Sequence, residues 1–222
     1  AAELAGAIAA SPHLSFAGLQ AYYGAAQHFR TEKERTAAIA SAAERVQDTL
    51  AELKKYDLTC RIIGGAGTGT FEHEAASGIW NELQPGSYIF MDADYARNQK
   101  ADGSRFDTFE HALFVLATVM STPAPERAVV DAGHKALSND SGFPEIPSLP
   151  GAKYHRPSDE HGVLDLTACD RRPQLGDKVL LIPGHCDPTV NLHDWYVGVR
   201  GLHTPDAHVE AVWPVAARGA IF

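Results

Sequence analysis

One amphipathic stretch sets the terms for everything around it. Ile39, Ala42, Val46, Leu50 and Leu53 recur at helical spacing, which predicts a helix over 31–56 with one apolar face. Thr31 opens it with Glu34 three residues later, the pattern of a capping box. Strand candidates lie on either side. Residues 14–24, Leu-Ser-Phe-Ala-Gly-Leu-Gln-Ala-Tyr-Tyr-Gly, read as a strand with a polar, aromatic end. Thr59 to Gly65 reads as a second strand and runs into the glycine-rich turn Gly65-Ala66-Gly67-Thr68-Gly69-Thr70. A short helical stretch follows, and then a third strand-like element over 81–90. Strand–helix–strand–helix–strand order implies parallel pairing.

The character changes from about Thr108. Short strand candidates over 109–120, 128–132, 163–166, 179–182, 196–199 and 209–215 are separated by Pro and Gly clusters, with no convincing long helix. That pattern predicts an antiparallel barrel or sandwich. The boundary is expected in the polar stretch 97–105, giving an α/β part over 1–100 and a β domain over 101–222. A net charge of −9 argues against a nucleic-acid or anionic-membrane partner, and no apolar run reaches the ~18 residues of a membrane span. Three widely spaced cysteines, Cys60, Cys169 and Cys186, suggest reduced thiols and a cytoplasmic location. The first ten residues read as the tail of a helix, and no initiator Met is present, so the sequence is expected to start within a larger protein.

Two segments carry chemistry. In the turn 64–70, small residues let backbone N–H groups converge on an anion, and Thr68 and Thr70 add hydroxyls. An ordinary glycine turn between strand and helix would look the same. The second segment, Gly184-His185-Cys186-Asp187-Pro188-Thr189-Val190-Asn191-Leu192-His193-Asp194-Trp195-Tyr196, follows the apolar run Val179 to Ile182. On an extended backbone, His185 and Asp187 point to one side and Cys186 to the other, so an imidazole and a carboxylate could reach one divalent cation. A lone His-x-Asp pair is otherwise a polar strand end.

This second segment resembles the metal-binding motif of D-threonine aldolases, pyridoxal-phosphate enzymes that share a fold with alanine racemase and D-serine dehydratase. The relatives that dehydrate D-serine carry His-x-Cys here; His-x-Asp is the aldolase form. The resemblance implies an alanine racemase-like, type III fold: the last three units of a (β/α)8 TIM-like barrel, followed by an antiparallel β domain. It implies pyridoxal 5'-phosphate bound through Gly65, Gly67, Thr68, Gly69, Thr70, Gly86 and Ser87, with Tyr22 beside the cofactor and His28 as base. It implies a divalent metal on His185 and Asp187, Mn²⁺ or Mg²⁺, with Zn²⁺ and Ca²⁺ as alternatives. In the family the cofactor-bearing lysine sits near the start of the first barrel strand. None of Lys33, Lys54, Lys55, Lys100, Lys135, Lys153 and Lys178 stands in a matching motif.

Family-like stretches also cover 20–28, 90–95, 131–140 and 160–162. The reaction implied is cleavage of a D-3-hydroxy amino acid to glycine and an aldehyde, in a homodimer or with a complementary N-terminal fragment. A dehydratase of D-serine or hydroxyaspartate, a non-catalytic cofactor-binding protein and an inactive fragment are the alternatives.

Overall fold

The computed structural model describes residues 1–220 and divides into two units. The first comprises 1–89 and 95–110, the second 90–94 and 111–222.

In the first unit, helix α1 (Ala2–Ala10) precedes strand β1 (Gly18–Gln20) and a 3₁₀ turn, Gly24–His28. Helix α2 (Glu32–Lys55), strand β2 (Ile62–Gly65), helix α3 (Phe71–Ser77) and strand β3 (Glu82–Leu83) follow. The strands form one parallel sheet in the order β1-β2-β3, with Leu19 opposite Ile63 and Gly65 opposite Leu83. Crossover helices make parallel pairing the natural outcome of this order.

Helix α2 starts where the sequence marks it. The Thr31 hydroxyl accepts from the Glu34 N–H at 3.3 Å, and the Thr31 N–H donates to Glu34 Oε2 at 3.0 Å. Glu32 and Glu34 stand in its first turn and Lys54 and Lys55 in its last, each complementing the helix dipole. Its apolar face packs Ile39 and Val46 with Ala26, Ile63 and Trp80. The third strand is shorter than expected. Pro85 and Gly86 end it, and 87–89 form a second 3₁₀ turn.

The segment 90–94 and the start of the short helix α4 (Ala93–Ala96) belong to the second unit. Its five-stranded antiparallel sheet is built from β4 (Val115–Ala124), β5 (Arg127–Val130), β6 (Lys153–Pro157), β7 (Gly162–Asp165) and β8 (Lys178–Leu181). Their spatial order is β6-β7-β5-β4-β8. Strand β6 carries no clear apolar alternation, and the sequence reading passed over it. Val119, Val130, Leu164 and Leu181 form the core, with Tyr154 donating its hydroxyl to the Ala132 carbonyl at 2.7 Å.

After the helix α5 (Cys186–Val190), strands β9 (Trp195–Arg200) and β10 (His208–Pro214) pair, among the described residues, only with each other, as an antiparallel hairpin. Trp195, Val197, Val199, Val209, Val212 and Trp213 are exposed on it.

Helix α5 corrects one expectation. His185 is extended (φ −146°, ψ 122°) and serves as the N-cap, but Asp187 lies in the first helical turn, so strand alternation does not place the pair. Pro188 at the third helical position donates no hydrogen bond that the helix needs, and Asp187 favours the helix N-terminus. Cys186 does not turn away from Asp187. Its thiol donates to Asp187 Oδ1 at 3.2 Å.

Removing the α2 cap should be felt directly. Thr31→Ala is expected to lower unfolding stability by about 1 kcal/mol. Urea denaturation followed by helical circular dichroism measures it, and no change would mean the cap is redundant.

Candidate functional site

The glycine-rich turn lies at the C-terminal end of β2, and the Gln84 to Ser87 turn lies at the C-terminal end of β3. Because the two strands are parallel neighbours, both turns emerge at the same end of the sheet. The Gln84 N–H donates to the Gly65 carbonyl at 2.8 Å.

Gln27, buried and at 0% exposure, fixes the first turn. Its Oε1 accepts the Gly69 N–H at 3.0 Å, and its Nε2 donates to Thr70 Oγ1 at 2.7 Å. The Thr70 hydroxyl then donates to Glu74 Oε1 at 2.8 Å, and Asn98 Nδ2 donates to the Gln27 carbonyl at 2.9 Å. This packing explains the glycines. A Cβ on Gly67 would lie 2.5 Å from Gln27 Oε1, and one on Gly69 would lie 2.3 Å from the Gln27 carbonyl oxygen.

The expected anion ligands therefore divide. Thr70 and the Gly69 N–H are committed to the protein. Thr68 differs: its hydroxyl oxygen is buried and has no partner. Gly86 opens onto free space, where a Cβ would meet nothing within 4 Å. An unpartnered buried hydroxyl in a turn of small residues, with an open glycine turn at the same sheet end, fits a phosphate group. Tyr22, two residues beyond β1, brings its hydroxyl to 3.1 Å from where a Gly67 Cβ would be. His28 ends the 3₁₀ turn, exposed, with its ring 5.5 Å from that of Tyr95.

Glu74 is 1% exposed, and its Oε2 has no partner. Burial raises its pKa above the ordinary 4.5, against the opposing hydrogen bond from Thr70.

In the second unit, the loop before α5 holds His185. Its Nδ1 lies 2.7 Å from Asp140 Oδ2 and 3.3 Å from the Ser141 hydroxyl. Burial alone would raise the Asp140 carboxyl. Hydrogen bonds from Ser138 and His185, the positive field of His185 and the Ser141 hydroxyl outweigh it and hold the pKa at about 2. Such a carboxylate only accepts, so Nδ1 carries the hydrogen and Nε2 is the ring nitrogen left to face a cation. Burial raises the pKa of Tyr196, with further contributions from the charges of Cys186 and Asp187.

Among the described residues, no group of three or more His, Cys, Asp and Glu converges as a metal site. One imidazole nitrogen and one carboxylate still fit a hard or borderline divalent ion whose other positions are taken by water and substrate. A cavity of about 480 Å³ lined by His134, Ser138, Asn139, Asp140, Pro188 and Leu192 adjoins the loop.

Sequence reasoning missed Gln27, Glu74, Asp92 and Asp140. Gln27, Asp92 and Asp140 each lie inside a family-like stretch, but nothing in their spacing marks them.

A small parallel α/β sheet with a glycine-rich turn, followed by an antiparallel β domain, is an alanine racemase-like arrangement. An alanine racemase-like protein from Idiomarina loihiensis shares the fold, at TM-score 0.66 and 23% identity over 82% of this chain and 52% of its own. A family model described as "Putative serine dehydratase domain" matches residues 112–199.

A 3-hydroxy-D-aspartate aldolase of Paracoccus denitrificans (strain Pd 1222) is 49% identical over 219 residues, which is 98% of this chain and 55% of the relative. The crystal structure of a D-threonine aldolase from Filomicrobium marinum superposes at TM-score 0.90 and 49% identity, over 100% of this chain and 58% of that one. The chain belongs to the D-threonine aldolase / 3-hydroxy-D-aspartate aldolase family and spans about half the length of these relatives.

Two outcomes follow from this geometry. Because the folded Glu74 has a raised pKa, its neutral form is the better tolerated one. Its stability contribution is full below the unfolded value and is lost as pH rises through the folded pKa. Glu74→Gln should therefore raise the melting temperature relative to wild type at pH 8 and lose that advantage at pH 4, as thermal melts at the two pH values would show. Gly184 is the second point. A Cβ there would lie 1.8 Å from the Gly142 carbonyl oxygen, so Gly184→Ala must push the 139–142 loop away from His185. A loss of about 1–3 kcal/mol in stability and a changed His185 ring signal in ¹⁵N NMR are expected; unchanged spectra would contradict the close contact.

Proposed function

We propose that this chain belongs to a pyridoxal-phosphate- and metal-dependent aldolase that cleaves D-3-hydroxy amino acids to glycine and an aldehyde. The observation that carries the reading is 49% identity to a 3-hydroxy-D-aspartate aldolase over 98% of the chain. The oriented His185 and the neighbouring Asp187 support it chemically. In this reading the three parallel strands are the last of a (β/α)8 barrel.

The phosphate of the cofactor would be held by the Gly65 to Thr68 part of the turn, with Thr68 supplying a hydroxyl, and by Gly86 and Ser87; Tyr22 would flank the ring. His185 and Asp187 would hold the ion, Mn²⁺ or Mg²⁺ by donor chemistry. Bound, these groups supply an electron sink for the pair released as Cα–Cβ breaks and a Lewis acid that lowers the pKa of the 3-hydroxyl. The chain's own residues do the rest. His28 accepts the 3-hydroxyl proton. Asp140 keeps the His185 ring in one tautomer. Substrates of the size of D-threonine or D-3-hydroxyaspartate would yield acetaldehyde or glyoxylate beside glycine.

A second reading, elimination of the hydroxyl by a dehydratase, is favoured only by the family match over 112–199. One assay separates the two. With pyridoxal phosphate and Mn²⁺ supplied, the protein carrying this chain should convert a D-3-hydroxy amino acid to glycine and aldehyde in equal amounts. His185→Ala should lower kcat/KM by about 10²-fold or more. Pyruvate or oxaloacetate with ammonia, in place of glycine, would instead establish the dehydratase.

A further inference from the structure

The segment Phe90–Asp94 lies in a family-like stretch to which no role has been given. It belongs to the same unit as the His185 loop and is tied to it twice. The Ala93 N–H donates to the Pro183 carbonyl at 2.9 Å, and the Cys186 N–H donates to Asp92 Oδ2 at 3.0 Å. The segment is also anchored from behind: the Ala112 N–H donates to the Phe90 carbonyl at 2.8 Å, and His111 Nε2 lies 3.2 Å from the Asp92 carbonyl oxygen. Its ring Phe90 packs 5.7 Å from Tyr196.

Two features separate this arrangement from ordinary packing. Asp92 has 0% exposure, and a buried carboxyl is costly unless its hydrogen bonds compensate. Met91, immediately before it, is also fully buried and has φ of 53°, a left-handed conformation that costs a residue with a side chain about 1 kcal/mol or more. A local cost of this kind persists only where surrounding structure enforces it. What it achieves is visible in the bond to Cys186. That N–H belongs to the one residue between His185 and Asp187, so holding it fixes the His185–Cys186 peptide plane, which carries the His185 side chain on one side and leads to Asp187 on the other.

We infer that Asp92 is a positioning residue for the metal loop: its carboxyl fixes the Cys186 N–H and thereby sets His185 and Asp187 for one divalent ion. Asp140 then orients the imidazole ring, while Asp92 orients the backbone that carries it. This rests on the reading of His185 and Asp187 as metal ligands. Partners that orient ligands typically change metal affinity 10–100-fold when removed.

The test uses the purified protein with Mn²⁺ as the only added ion, and a metal-free measurement beside it. Amide hydrogen exchange at Cys186 is compared in wild type, Asp92→Ala, Asp92→Ser and Asp92→Asn. Serine keeps an oxygen that is too short to reach the N–H; asparagine keeps an acceptor at the right length. The alanine and serine variants should exchange at Cys186 at least ~10-fold faster, with Val119 and Leu164 in the five-stranded sheet still protected. Asparagine should restore protection to within ~3-fold.

Mn²⁺ affinity, read from the free-ion EPR signal, should fall ~10-fold or more in the alanine and serine variants and recover in part with asparagine. Unchanged exchange at Cys186 in a folded alanine or serine variant overturns the assignment. So does wild-type Mn²⁺ affinity in such a variant. If all three variants lose protection throughout the sheet together, Asp92 is a folding residue and the assignment also falls. A wild-type protein that takes up no Mn²⁺ removes the metal reading itself. The positioning of the loop is then decided by exchange at Cys186 alone.

Discussion

The side-chain amide of Gln27 is the contact on which the glycine-rich turn depends. It accepts from one backbone N–H, donates to one hydroxyl, and lies where a side chain on Gly67 would collide with it, while a side chain on Gly69 would collide with the Gln27 backbone. Buried amides of this kind are stable only when their bonds are complete, so the turn has one conformation rather than several. Gly67 and Gly69 are thus needed chiefly so that Gln27 can approach. The anion binding proposed for this turn would then be a property of a rigid backbone rather than of a mobile loop.

The loop proposed to hold the metal reaches the same end by different means. Here the fixing groups are carboxyls: Asp140 on the imidazole and Asp92 on the following N–H. Gly184 allows the loop to touch the backbone at Gly142, which brings Asp140 and Ser141 to the ring. The helix α5 adds a third constraint, since the Thr189 hydroxyl donates to the His185 carbonyl at 2.7 Å. Preorganisation of this sort matters most where a protein offers few ligands, because each one must already be in place.

What could be read from the sequence was local. Thr31 and Glu34 announced α2 because a capping box needs only four consecutive residues, and the apolar spacing after it needs only one helix face. The short strands after residue 110 were legible from turn residues and β-branched runs, apart from β6. The error at 185–187 was also local: Asp-Pro-Thr after a polar residue is a helix start, and it was read as the end of a strand. Asp140, Asp92 and Gln27 were not legible, for a different reason. Their partners lie 45, 94 and 43 residues away, and no periodicity carries information across such distances. The resemblance found the stretches that contain them but could not say what they touch.

The hairpin of β9 and β10 has a consequence for how the folded state is assembled in time. Its strands are joined by seven residues, so chain closure is quick, on the order of microseconds. Yet a lone two-stranded ribbon is at best marginally stable in water, and this one leaves two tryptophans and four valines exposed. Rapid formation without intrinsic stability makes it a reversible element, formed and lost many times before the slower five-stranded sheet is complete. Its lifetime is set by what anchors its ends: the ring contact of Phe90 with Tyr196, the Val215 N–H on the Asp194 carbonyl and the Arg218–Asp194 ion pair. The last stretch of the chain to become permanent is therefore one of the first to take shape.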